Sequence, residues 1–437
     1  MDFIYSAINN HKSGRLYKSA VDAQLYYDGE NPTINRYEKI IFDMQGKAHI
    51  DMWTANHKIA SQFFGFAVDQ EVSYLLSNGV IFGDKATKDK LGEDFDEQMC
   101  DALQFARIGG VSFGFWNVDK VEVFKVTEFV PLWDEENGSL MAGIRFWQLD
   151  DNKPLRVTLY EVDGYTEYAW NGGEGSILRE KRPYKLKVRQ SEATGVEIYG
   201  GENYPTFPIV PLLNNASMKT ALNGKRNTID ALDLARSSMI NNVSEGALIY
   251  WVLRDYGGMD DIDDAEFKRR LLSLGVVHVE GEGSDATPHT VEAPFDGTQA
   301  TIDMILRQLY DDFQCFNSEA VTASNQSATA IKASYIPLDL KTDKIERQVT
   351  RFINGILTLA GIDDDPTYTR NQLINKQEET QNILTAAEYY DTEYIRKKLL
   401  TINGDIDQYE EITARAIAED VNRFAVVEEE PTETTQE

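Results

Sequence analysis

The chain has 437 residues, enough for two or three structural units, and 42% of them are hydrophobic, too many for a disordered chain. Its 72 acidic residues against 43 basic ones give a formal charge of −29. That excludes DNA binding by bulk electrostatics, because affinity for phosphate scales with Lys and Arg contacts. Two cysteines, Cys100 and Cys315, cannot make a disulfide framework. The opening Met1-Asp2-Phe3-Ile4-Tyr5 lacks the basic-then-apolar pattern of a signal peptide. The longest apolar run, about Gly246 to Leu253, is far short of the roughly 20 residues that span a bilayer. A soluble protein made in the cytoplasm, with no membrane partner, is therefore expected. The acidity itself has two readings: a well-solvated surface, or one that sits close to DNA without sticking to it.

Along the chain, residues 1 to about 50 read as helical, polar and tyrosine-rich. From Asn56 to Leu76 the spacing of Ile59, Phe63, Phe66, Val72 and Leu75 predicts a helix, stopped at Ser77-Asn78-Gly79. Asp94 to Ile108 predicts another, stopped by Gly109-Gly110. The period then changes. Val111–Asp119, Val121–Phe129, Gly143–Leu149, Arg156–Val162 and Thr166–Trp170 are short, aromatic and β-branched, with turn signals between them, and predict an antiparallel meander. Pro205, Pro208 and Pro211 close this region. Asn227 to Leu253 predicts a long helix, with Asp230, Asp233, Ser237, Asn241 and Glu245 on a polar face. Asp255 to Pro294 reads as a small insert with a short helix, Asp264–Leu274, and strand-like Gly275–Glu280 and Thr290–Glu292. Gly297–Phe316 predicts a second long helix. A polar loop, Val321–Ser327, precedes a third, Ser327–Gly361, with Pro337 inside it as a kink. Asn371–Tyr390, Thr392–Leu400 and Asp405–Phe424 read as helices, and the acidic tail Val427–Glu437 as disordered. Such long, half-polar helices exceed what one compact subunit needs; they suit packing against neighbouring copies around a ring.

Chemical motifs are weak. Gly110-Val111-Ser112-Phe113-Gly114 matches G-x-S-x-G, but a nucleophile elbow runs strand, turn, helix, and here the order is helix, turn, strand. No phosphate-loop motif occurs. His11, His49, His57, His278 and His289 show no metal-ligand spacing. The run Asp260-Asp261-Ile262-Asp263-Asp264-Ala265-Glu266 misses the calcium-loop pattern and reads as helix capping. Neither a catalytic residue, a metal nor a cofactor is expected.

Several passages in order resemble the portal proteins of tailed bacteriophages, of the long-tailed type. They are Asn56-His57-Lys58-Ile59 with Ser73-Tyr74-Leu75-Leu76-Ser77-Asn78-Gly79-Val80; Ala106 to Phe115; Phe207-Pro208-Ile209-Val210-Pro211-Leu212-Leu213-Asn214-Asn215; Ser327 to Lys332 followed by Leu338-Asp339-Leu340-Lys341; and Arg370-Asn371 with Asn375 and Glu378. The second of the early passages departs from the family's usual Gly-x-Pro-Val ending.

The resemblance implies an α+β portal fold: a wing of helices plus an antiparallel β meander (1–225), a two-helix stem (226–253 and 296–318), a small α/β clip (254–295), a tunnel loop (319–327), a long kinked wing helix (328–364), a helical crown (365–426) and an acidic tail (427–437). It implies a homo-oligomeric ring, normally of about twelve subunits, at the capsid vertex of the virion. The ring would be assembled in the host cytoplasm, with major capsid and scaffolding proteins as partners. Double-stranded DNA would pass through it non-specifically. The clip, with Asp260, Asp261, Lys268, Arg269, Arg270 and His278, would dock the terminase large subunit and later a head–tail adaptor. Asp230, Asp233 and Glu245 would line the channel. The uncharged loop Thr322-Ala323-Ser324-Asn325-Gln326-Ser327 would touch the DNA backbone, with Lys332, Lys341 and Lys344 the basic residues nearest it. The alternatives are a metal-dependent hydrolase using clustered carboxylates, another structural ring or adaptor, and a monomeric interaction protein.

Overall fold

The computed structural model describes residues 1–42, 45–52, 54–150, 152–171, 174–191, 195–246, 250–254, 285–289, 295–319, 328–371, 376–403 and 409–424. The chain divides into two units, Met1–Phe316 with Pro337–Asn371, and Asn317–Ile336 with Gln372–Glu437. It is the mixture of helices and antiparallel sheets that the sequence predicts.

The first unit opens with α1 (Asp2–Ser13), α2 (Arg15–Tyr27) and a single turn, α3 (Pro32–Asn35). Asn31 caps α3 by accepting the amides of Thr33 and Ile34, and Pro32 sits where no helical N–H is needed. The expectation of helix to about residue 50 fails beyond this point. β1 (Ile40–Phe42) pairs antiparallel with β2 (Ala48–Ile50). Ile40-Ile41-Phe42 is a β-branched and aromatic run, and Gly46, at φ 79°, lies in the turn. The next helix, α4 (Phe63–Leu76), begins seven residues later than predicted from Asn56, because the amides before it are committed elsewhere. β3 (Val80–Ile81), α5 (Lys85–Leu91) and α6 (Phe95–Gly109) follow.

Gly110 stops α6 in the left-handed region (φ 87°), its N–H bonded to Ala106 O at 2.8 Å. A Cβ there would run into the Met218 carbonyl, backbone that cannot rotate away. Gly110→Ala is therefore expected to cost about 1–3 kcal/mol, from backbone strain plus overpacking. Denaturant unfolding measures it; a change of only a few tenths would mean the Met218 turn gives way freely.

The strands are β4 (Val111–Asn117), β5 (Lys120–Lys125), β6 (Phe129–Trp133), β7 (Leu140–Trp147), β8 (Leu155–Glu161), β9 (Gly164–Asn171), β10 (Glu174–Arg182), β11 (Lys185–Ser191), β12 (Gly195–Glu202) and β13 (Ile209–Leu213). β6 to β10 form an antiparallel meander, each strand paired with the next, whereas β4 and β5, expected as the first strands of that meander, belong to a separate three-stranded sheet with β13. The predicted strand Val121–Phe129 is two strands, broken where Glu128 N bonds Lys125 O. β4 pairs with β5 and, across a long crossover, with β13. α6 lies over β4 and β5, with Met99, Leu103, Phe113 and Phe124 buried between them. Full burial of each such side chain contributes about 1.5–3 kcal/mol. α1 packs near β6 and β7, where Ile4 and Ile8 meet Val130, Ile144 and Phe146.

α7 (Arg226–Gly246) packs against α8 (Phe295–Phe313). The first long helix was expected to reach Leu253. Instead Tyr250–Arg254 is β14, paired antiparallel with β15 (Asp285–His289), from Tyr250↔His289 to Arg254↔Asp285. The aromatic and β-branched Tyr-Trp-Val run favours the strand once a partner is present. The rest of the predicted insert, residues 255–284 and 290–294, lies outside the described residues.

α9 (Ala328–Ala360) runs through Pro337, which has no N–H for the helix ladder. The boundary between the two units falls at Ile336/Pro337. Ile345, Val349, Phe352 and Ile356 of α9 belong to the core of the first unit, and Gly114 leaves room for the Phe352 ring, since a Cβ there would lie 2.5 Å from it. β16 (Thr367–Tyr368) pairs with β3. The second unit holds the first turns of α9, then α10 (Lys376–Ala386), α11 (Thr392–Asn403) and α12 (Tyr409–Phe424). α10 packs on α11, and the Tyr390 and Tyr394 rings stack at 5.1 Å.

Candidate functional site

The polar stripe of α7 is bonded within the chain. Asp233, fully buried, accepts Ser61 N at 3.0 Å and Asn31 Nδ2 at 2.8 Å. One turn on, Ser237 Oγ accepts Ile59 N at 3.0 Å, and a turn further Asn241 Oδ1 accepts His57 N at 2.7 Å. Residues 57, 59 and 61 thus present alternate amides to side chains four apart on a helix. The match is metric: two extended residues advance about 6.6 Å and four helical ones about 6.0 Å. Asp230 accepts Tyr26 Oη at 2.6 Å and Asn31 Nδ2 at 2.9 Å. Burial pushes the Asp233 carboxyl above its usual range, opposed by the bonds from Asn31 and Ser61. Asp230 and Asp233, expected on a channel wall, here hold residues 31 and 61 to α7 through their carboxylate oxygens, Asp233 fully buried and Asp230 partly exposed. Glu245 lies on α7, but its side chain is outside the described part.

A second cluster joins the helices. Glu71 of α4, 1% exposed, receives Arg107 of α6 at 2.7 Å and Lys341 of α9 at 2.8 Å, both on one carboxylate oxygen. Lys341 also donates to Phe313 O at 2.8 Å, at the end of α8. Arg107 further binds Asn214 Oδ1, and Asn214 N bonds Gly110 O, so two of the family-like sequence passages meet here. Lys225, at the entry to α7, lies over the Phe313 ring at 4.2 Å. Lys341 is thus a buried structural cation, not a basic residue presented to a ligand.

Desolvation, with Lys341 and Arg107 as like-charged neighbours, lowers the Lys225 pKa from 10.5 to about 8. Between about pH 8 and 10.5 the unfolded chain keeps this proton and the folded chain has lost it. Stability from this group therefore rises with pH across that window. Cys315, raised from 9.0 to about 11 mainly by burial, acts in the opposite sense above pH 9. The expected result is a denaturation midpoint that climbs from pH 7.5 to 9 in the wild type relative to Lys225→Met, in which the climb is lost. Parallel pH profiles for the two proteins would show that Lys225 keeps an ordinary pKa.

A third cluster surrounds Arg370, which binds Asp339 at 2.8 Å, Glu346 at 2.9 Å and Asp343, three carboxylates along one side of α9. Tyr74 Oη donates to Asp339 at 2.6 Å, and Asn371 N bonds Tyr74 O. Of the three points where the chain passes between the units, the segments next to two, Asn371 and the stretch after Pro337, are thereby tied to α4. Lys344 is exposed on α9, and Lys332 lies beside Tyr390 and Tyr394 in the second unit. Ser112 is buried and donates to Ala102 O at 2.6 Å, a packing role. Thr322 to Ser327, and Asp260, Asp261, Lys268, Arg269, Arg270 and His278, lie outside the described residues. Among the described residues no group of three or more His, Cys, Asp or Glu is placed to hold a metal, and no helix is long and apolar enough to cross a membrane.

Sequence reasoning missed Glu71, Arg107, Lys225 and Arg370 as centres of clusters. Only Arg107 and Arg370 stood in passages it singled out.

The polar groups described so far join elements of the chain to one another, as in a structural protein. Residues 10–420 match the family model described as phage portal protein, SPP1 Gp6-like, and the chain belongs to that family. It is 22% identical over 449 aligned residues to the portal protein of Clostridium phage phiCD119, covering 92% of this chain and 95% of that one. It is 24% identical over 463 to the portal protein of Bacillus phage SPP1, covering 97% and 86%. Similar solved structures include a chain of the virion of a native gene transfer agent particle (8% identity, TM-score 0.46, covering 77% of this chain and 89% of that one). Another is from the neck of a native particle of that kind, computed with C12 symmetry (10%, 0.45, 77% and 89%). Portal proteins are structural components of the head-to-tail connection of tailed phages.

Proposed function

We propose that the chain assembles into a ring of about twelve copies at one capsid vertex, and that double-stranded DNA enters and leaves the head through its axis. The family match over residues 10–420 carries this reading. In it α7 and α8 are the stem, residues 254–295 the clip that receives the packaging motor and later the tail adaptor, 319–327 the tunnel loop, and 365–426 the crown. Major capsid and scaffolding proteins surround the ring in the virion, after assembly in the host cytoplasm.

Its mechanism is mechanical and electrostatic. With Asp230 and Asp233 bonded within the chain, the carboxylates we assign to the channel are Glu245 of α7 and those of α8, where Asp296, Asp311 and Asp312 are exposed. Repeated around a ring, each makes a belt of negative charge that repels phosphate within about 8–10 Å and keeps DNA sliding rather than bound. The tunnel loop, without charge or bulk, meets the backbone through exchangeable hydrogen bonds that carry no sequence information. Deleting Thr322 to Asn325 is expected to leave rings intact and to reduce packaged DNA, measured by nuclease protection in filled heads. Normal packaging by that deletion would remove the loop from the mechanism.

A further inference from the structure

The second unit holds an open groove of about 270 Å³. Lys332 comes from the first turns of α9, Ile383 from α10, Tyr390 from the turn after it, and Tyr394, Ile395 and Lys398 from α11. The α11 residues share one helix face, since Lys398 is three positions from Ile395 and four from Tyr394. Ile395 is the buried floor, whereas Tyr390 and Tyr394, stacked on each other, are 56% and 44% exposed. Lys398 Nζ lies 5.9 Å over the Tyr394 ring, and both lysines are exposed. No carboxylate lines the groove among the described residues. Exposed tyrosines flanked by cations, on a chain of net charge −29, fit an acidic segment that carries an apolar residue of its own.

The chain carries such a segment. Residues 425–437 lie outside the described residues; their sequence holds five glutamates and neither lysine nor arginine, with Glu430-Pro431-Thr432-Glu433 placing a proline between acids. Proline docks readily on paired aromatic rings, because its fixed φ leaves little entropy to lose. The tail is also tethered close by. It continues α12, whose first residue stands beside the groove: Tyr409 Oη donates to Glu393 at 3.0 Å, and Lys397 Nζ lies 5.9 Å from the Tyr409 ring, each partner next in sequence to a groove residue. α12 is about 24 Å long, and the seven residues from Ala425 to Pro431 extend about 23 Å, so the tail can return along the helix to the groove. We propose that the groove is the dock of this chain's own C-terminal tail, with Pro431 on the Tyr390 and Tyr394 rings and Glu430 and Glu433 beside Lys332 and Lys398. Docked, the tail ties the first turns of α9 to α10 and α11. The proposal does not depend on ring formation.

The test starts with the full chain. A benzophenone amino acid at position 432, in a mixture of ¹⁵N-labelled and unlabelled protein, is expected to cross-link on illumination to residues 383–398 of its own chain, without mixed-label pairs. A second measurement uses a fluorescent peptide of residues 425–437 and a chain ending at Phe424, a truncation that removes none of the described residues. The peptide should bind the shortened chain and bind the full chain about tenfold more weakly or worse, because the tethered tail competes at high effective concentration. Lys332→Glu with Lys398→Glu in the shortened chain should weaken the peptide about tenfold. A peptide carrying Glu430→Lys and Glu433→Lys should bind that variant better than the wild-type peptide does, which shows that the variant is folded. Cross-links to the groove of another copy would assign the site to a neighbour's tail and overturn the proposal. Cross-links elsewhere, equal binding to the full and shortened chains, no binding at all, or indifference to both charge reversals would overturn it as well.

Discussion

Glu71→Gln is expected to destabilise the folded chain by about 3–5 kcal/mol, the cost of stranding buried charge by removing one member of an ion pair. Its carboxylate is the single anion between Arg107 at 2.7 Å and Lys341 at 2.8 Å, with Lys225 close by. Neutralising it leaves the cations facing each other where α4, α6, α8 and α9 converge. The loss should appear as a lower melting temperature and a lower soluble yield, and Lys341→Met in the same chain should recover part of it by removing one stranded charge. An unchanged melt for Glu71→Gln would mean that water reaches the cluster and screens it. Because these helices include α8, proposed here as one half of the stem, and the long helix α9, the cluster also bears on the proposed function. It joins α4, α6, the end of α8 and α9 at one point.

The second large effect belongs to Asp233→Ala. This removes the acceptors of Ser61 N and Asn31 Nδ2 and leaves the Ser61 amide buried without a partner. Hydrogen bonds to a charged group contribute about 1.5–3 kcal/mol each, so a loss of about 2–4 kcal/mol is expected, offset by the relief of desolvating the carboxylate. The signature is local. Hydrogen exchange should rise at His57, Ile59 and Ser61 together, since their amides form one ladder onto α7. A residue that only faced a channel would leave monomer exchange untouched, and that result would restore the reading taken from the sequence.

What the sequence made legible was whatever a local signal specifies. Gly110 ends α6 because a helix needs a left-handed residue there, and the dipeptide Gly109-Gly110 announces it. β7 to β9 were readable because they are short aromatic and β-branched runs separated by the turn signals Asp150-Asp151-Asn152 and Asp163-Gly164, whereas β6, Phe129–Trp133, was not predicted as a strand of its own. β10, β11 and β12 were not, since Glu174–Arg182 and Lys185–Ser191 are charged strands with little apolar alternation and owe their form to pairing. The stripe Asp233, Ser237, Asn241 was visible as helical polar spacing. Its use was not, because the segment that meets it lies more than 170 positions away and reads by periodicity as helix. Helical spacing at 57–61 lost to three side-chain acceptors that a single sequence cannot place. The Glu71 cluster was hidden for the same reason: its members come from four separate elements, and each alone reads as an ordinary surface charge.

The most direct test of the portal reading is electron microscopy of the purified full-length chain, with native mass spectrometry for the copy number. The account predicts closed rings of about twelve copies around an axial channel wide enough for a DNA duplex, about 20 Å across. A chain that remains a single copy at every soluble concentration, with and without the capsid scaffolding protein, or that closes into particles with no axial channel, would contradict it.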